Sequence, residues 1–194
     1  FRTCEEMKKN NPNHSGNEEY NYFLAVLFSA DELKILPYNR VVVDLNGYTD
    51  VQFMEKVKEN FDIQQIEYQE PKNPKEFCMY LNGKWYLLKP NTNVKKAASV
   101  GDNLDVSILQ NYLLHPILGI DDPRTSKRID FIGGIRGTQE LVKLVDSGKF
   151  KVAFLLYPVT LDDLMAISDA GEIMPPKSTW FEPKLRDGIV IHTI

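Results

Sequence analysis

The chain has 194 residues, of which 43% are hydrophobic and 26% charged, the balance of a folded globular protein rather than a disordered one. A net charge of −4 without any run of basic residues argues against bulk attraction to nucleic acid or to an anionic membrane surface, and leaves a local basic pocket open. No apolar stretch reaches spanning length, since FLAVLF at 23–28 is only strand-sized.

The chain opens FRTCEEMKKNNP with no initiator Met, which reads as the tail of a helix and suggests a fragment of a longer protein. The polar NNPNHSGN loop closes this helix. Two extended segments follow, YNYFLAVLFS and LKILPYNRVVVD, expected to pair as a hairpin with a bend at Pro37. At YTDVQF, Thr49 with Gln52 three residues later forms the pattern of a capping box. Phe53, Met54, Val57 and Phe61 give the following segment a core-facing stripe.

IQQIEYQ reads as a strand. In FCMYLNGKWYLLK, Asn82-Gly83 stands between two aromatic-rich runs, which predicts a tight hairpin. A helix is expected from about Asn103 to His115, ended by Pro116 and Gly119. RIDFIGGIRG reads as a strand entering a glycine turn, then TQELVKLVDSG as a helix and KVAFLLYPV as a buried strand. TLDDLMAISDAG is a helix capped by Thr160 and stopped by Gly171, and GIVIHTI a closing strand. Hairpins in the first half and strand–helix alternation in the second predict an α+β fold, with a mixed, largely antiparallel sheet covered by helices. With no composition break, residues 1–194 read as one domain.

Three stretches carry candidate chemistry. Gly133, Gly134 and Gly137 turn a strand end sharply ahead of a helix, exposing N–H groups to which Arg136 adds a cation. Such a bend suits an anion, although a tight structural turn is the ordinary alternative, and no nucleotide-binding glycine motif is matched. In MPPKSTWFEPK, Pro175 and Pro176 preset the backbone. Lys177, Ser178, Thr179 and Lys184 then face a carboxylate or phosphate, and Trp180 either stacks on an organic group or pins the loop to the core. Asp105 shares a helix face with Ile108 and Leu109, so its carboxylate serves the helix dipole or acts as a general base. The three histidines have no metal-ligand spacing, and the two cysteines, Cys4 and Cys78, read as reduced thiols of a cytoplasmic protein.

NLDVSILQNYLLHPILGI, the IDFIGG-RG segment and VAFLLYPVTLDDLMAISDAGEIMPPKSTWFEPKLRDG together resemble the DUF1015 family of bacterial and archaeal proteins, and NYFLAVLFSADELKILPYNRVV fits its middle region. The matching positions are Asp105, Gly134, Arg136, Gly137, Pro175, Pro176, Lys177, Ser178, Thr179, Phe181, Pro183 and Lys184; Trp180 stands where relatives often have tyrosine. The resemblance implies that the chain is the carboxy-terminal half of a longer protein, whose upstream half is similar to ParB and sulfiredoxin-like nucleotide-handling domains. It carries over no catalytic residue.

Two functions are therefore expected. One is binding of a phosphorylated or carboxylated metabolite or a nucleotide, with a phosphotransfer-related enzyme domain as its catalytic form. The other is a structural or interaction domain supporting the upstream module, with Trp180 and Phe181 as interface anchors. The expected partners are a small anionic ligand, the upstream half and a second copy of the chain, with membrane and nucleic acid disfavoured. No metal is indicated, and the residues name no cofactor either way.

Overall fold

The computed structural model describes residues 2–27, 29–186 and 188–193. Phe28, inside one expected strand, and Ile194, the end of another, lie outside the described residues, as do Phe1 and Asp187. The chain divides into two compact units, one of Phe1–Lys34 with Pro183–Ile194 and one of Ile35–Glu182.

In the smaller unit, helix α1 spans Arg2–Asn10. The polar loop beyond it is organised by its own side chains. Glu18 accepts from the Ser15 and Gly16 backbone N–H groups at 2.6 and 3.0 Å, and Asn11 Nδ2 donates to the Tyr20 hydroxyl at 2.9 Å. The expected hairpin does not form: residues 22–27 belong to no strand, and Tyr22, Phe23, Leu24, Val26 and Leu27 are exposed. Nor do residues 188–193 form the closing strand. Apolar β-propensity alone makes no ladder when the expected neighbour is already paired.

That neighbour is β1, Lys34–Val42, which lies within a seven-stranded sheet of the larger unit. The other strands are β2 (Phe61–Ile66), β3 (Phe77–Leu81), β4 (Lys84–Pro90), β5 (Ile129–Gly133), β6 (Val152–Leu156) and β7 (Thr179–Glu182). They run in the order β2-β4-β3-β6-β1-β5, with β7 also paired to β1. β1 is antiparallel to β5 through Tyr38–Val42 and to β6 through Arg40–Val42, so this stretch has a partner on each side. The β3–β4 hairpin turns as predicted, with Asn82 at φ 49° and Gly83 at φ 75°, the two positive values of its tight turn.

Helix α2 covers Asp50–Lys58 and α3 Asp105–Leu109, the latter running into a π turn at Gln110–Leu114. Helices α4 and α5 cover Gly137–Asp146 and Leu161–Asp169. Thr49 and Gln52 close the capping box, as do Thr160 and Asp163 at α5, each cap contributing about 1 kcal/mol. All five residues of β3 and of β6 are buried, because both faces of the sheet are covered. On one face Phe77, Met79 and Phe154 pack with Phe53 and Val57 of α2, Leu109 of α3 and Ile167 of α5. On the other, Cys78, Tyr80 and Ala153 pack with Leu141 and Val145 of α4. Each large apolar side chain so buried contributes roughly 1.5–3 kcal/mol. The fold is the expected mixed α+β architecture. Among the described residues no helix is long and apolar enough to cross a membrane.

Candidate functional site

The glycine bend and the proline-braced loop meet. β1 carries Tyr38 opposite Gly133 of β5 and also pairs with β7. The indole of Trp180 lies over Gly133, where a Cβ would stand 2.4 Å from Cε3 and Cζ3. A Cβ at Gly134 would meet Pro37 Cδ at 2.9 Å. Close approach therefore accounts for both glycines. Gly137 opens α4 at φ 71°, and Arg136 is exposed and forms no ion pair among the described residues.

Within the loop, Ser178 is 3% exposed and its hydroxyl donates to the Pro175 carbonyl at 2.5 Å. Thr179 opens β7. Lys177 takes φ 55° and holds its ammonium 5.3 Å from the Tyr38 ring centroid, against which Trp180 packs edge-on at 5.3 Å. Lys184 belongs to the other compact unit.

Arg40, which the sequence reading passed over, organises this corner. It is 4% exposed, donates from Nη2 to the Lys177 carbonyl at 3.1 Å and from Nη1 to that of Tyr38, and lies over the Phe131 ring at 5.2 Å. Burial pulls its pKa down to about 9. An arginine inside a strand gave no signal in the sequence, because its partners are backbone atoms.

Asp105 has different partners. As the first residue of α3 it is 7% exposed. Its oxygens accept the Lys75 backbone N–H at 2.9 and 3.1 Å, and the Lys75 ammonium lies 3.1 Å from Oδ1. Burial raises its pKa against the opposing pull of Lys75. Lys75 itself is held at φ 68° and also donates from Nζ to the Asn103 carbonyl.

Lys75 leads into a cleft of about 530 Å³, a volume suited to a small ligand. Lys75, Lys89, Lys95 and Lys96 line it together with Glu76, and Pro74, Pro90, Val94 and Ile108 supply apolar wall. The segment before β3, the end of β4, the loop after it and α3 build these walls. Lys89 pairs with Glu76 at 3.0 Å. Burial alone would raise the Glu76 carboxyl, but Lys89 and the N–H groups of Lys72 and Asn73 outweigh it and hold the pKa down to about 2. Lys95 and Lys96 are exposed and make no ion pair among the described residues.

Two clamps shape the loop that carries this lysine pair. Asn103 accepts from Ala97 N at 2.9 Å and donates to the carbonyls of Ala97 and Ser99 at 2.7 and 2.6 Å. Glu172 accepts from Gly101 N at 2.7 Å, Ser99 Oγ at 2.8 Å and Val100 N at 3.2 Å. A sequence signal for the cleft existed in the lysines of PKNPKEF and KPNTNVKKAAS, 72, 75, 89, 95 and 96, with Glu76 the one acidic residue of those two stretches. Among the described residues no cluster of three or more His, Cys, Asp or Glu side chains suits a metal.

Three solved structures are similar in part. A free serine kinase in complex with AMP is 15% identical with a TM-score of 0.47, over 78% of this chain and 55% of the kinase. A mutant of a free serine kinase in complex with ADP gives 15% and 0.44 over the same shares. A conserved hypothetical protein from Pyrococcus furiosus gives 16% and 0.47, over 78% of this chain and 56% of that one. The chain thus spans about half the length of these proteins. No curated protein matches the sequence.

A family model described as "Protein of unknown function (DUF1015)" matches residues 1–107. This corrects the expected placement. The matched span is the amino-terminal part of the chain, whereas the resemblance was carried mainly by segments from Asn103 to Gly188, and the assignment of the chain as a carboxy-terminal half is withdrawn. Asp105 and the four cleft lysines lie inside the matched span; Arg136 and Lys177 lie beyond it. The chain belongs to the DUF1015 family.

Proposed function

We propose that the larger unit binds a small anionic metabolite in the lysine-lined cleft. The observation that carries this reading is the charge balance of its walls. Lys75 is matched by Asp105 and Lys89 by Glu76, while Lys95 and Lys96 have no acidic partner among the described residues. A concave surface with two unmatched ammonium groups draws anions even in a chain of net negative charge. Asp105 is then the counter-charge that positions Lys75, through the backbone as well as the ammonium.

Arg136 and Lys177 offer less to such a ligand, because the Lys177 ammonium lies over the Tyr38 ring and the Ser178 hydroxyl is engaged by Pro175.

Titration with inorganic phosphate, followed by backbone amide NMR shifts, tests the reading. Shifts confined to 74–76, 89–96 and 103–108, and lost in Lys95→Ala with Lys96→Ala, are expected. Binding that survives this double substitution would place the site elsewhere.

A further inference from the structure

Resting on that reading, we infer that the ligand is a phosphate monoester dianion carrying a compact uncharged apolar group. The net charge to be matched is two, because Lys75 and Lys89 already have carboxylate partners and Lys95 and Lys96 do not. A monoanion leaves one ammonium without a counter-ion in the cleft, and a trianion overfills it.

The donor type selects between dianions. All four lining cations are lysines, whose compact ammonium groups serve as point charges around a phosphate. A bidentate carboxylate fork is the property of arginine, and none lines the cleft. Of the rest of the wall, Pro74, Pro90, Val94 and Ile108 are apolar, and the Asn103 amide, the one other polar side chain there, already spends both its N–H groups on the Ala97 and Ser99 carbonyls and accepts from Ala97 N. An apolar body gains there by leaving water.

The arm bearing Lys95 and Lys96 is shaped in advance. Asn103 and Glu172 fix residues 97–101 immediately beyond the lysine pair, so less ordering accompanies binding.

Butyl phosphate, butyl sulfate, glutarate and inorganic phosphate, each titrated at pH 8 against the intact chain by NMR, separate these features. Butyl phosphate is expected to bind about tenfold more tightly than butyl sulfate, which has the same body and one charge fewer. It should also exceed inorganic phosphate several-fold through contact with Val94 and Ile108. Lys95→Ala with Lys96→Ala, both on exposed positions, should abolish the cleft shifts that butyl phosphate gives with the melting temperature unchanged. Equal binding of butyl sulfate overturns the dianion, tighter glutarate overturns the phosphate, and equal inorganic phosphate overturns the apolar body. In all three cases the cleft stands as an anion site. Silence of the cleft amides toward every probe instead removes the anion-binding reading itself.

Discussion

Trp180 lies across Gly133, so close that a single methyl group at that glycine would enter the indole. This contact joins the proline-braced loop to the end of β5 and accounts for a glycine at a position where φ is an ordinary −60°. Gly133→Ala is expected to lower stability by about 1–3 kcal/mol through overpacking. Trp180→Leu in the same chain should restore part of that loss, giving a coupling energy between the two sites in a double-mutant cycle. Additive losses in denaturant melts would mean that the ring is not what the methyl meets.

Glu172 holds the 99–101 turn as a built-in anion in a backbone nest. Its carboxyl is held below its usual pKa by the Gly101 N–H first and then by the Ser99 hydroxyl, against a smaller effect of burial. Glu172→Gln should therefore speed hydrogen exchange at Val100 and Gly101 by about tenfold, with the sheet amides unaffected. Unchanged exchange at these two amides would show that Asn103 alone suffices.

Glu76 sets an acid limit. Its pKa falls from the ordinary 4.5 to about 2 in the folded protein. The unfolded chain binds the proton more readily, so the stabilisation is fully present above pH 4.5 and is lost as pH falls from there through about 2. Glu76→Gln should flatten the stability profile across that window. A variant with the same acid slope as the parent would assign the loss to other carboxylates.

The two thiols differ in reach. Cys78 is fully buried, and burial, followed by the charges of Glu76 and Glu70, pushes its pKa up to about 12. Cys4 is partly exposed, and both cysteines are free. An aromatic disulfide reagent at pH 8 should modify one thiol at once and the second only in denaturant. Two rapid equivalents in the native state would contradict the burial of β3.

The capping box at Thr49, the cap at Thr160, the Asn82-Gly83 turn, the glycine stop at Gly171 and the buried strands could all be read from the amino-acid order, because each depends on residues within a few positions of one another. Strand pairing could not be read this way. YNYFLAVL has the composition of a strand, yet residues 22–27 form none, and β1 pairs with β5, β6 and β7. Ser178 and Lys177 looked available in the sequence, yet Pro175 holds the hydroxyl and Tyr38 receives the ammonium. The lysine cleft likewise depended on tertiary structure. Lys75, Lys89 and Lys96 become neighbours only when the β3–β4 hairpin folds back and α3 docks beside it, because burial of the core decides which distant charges share a surface.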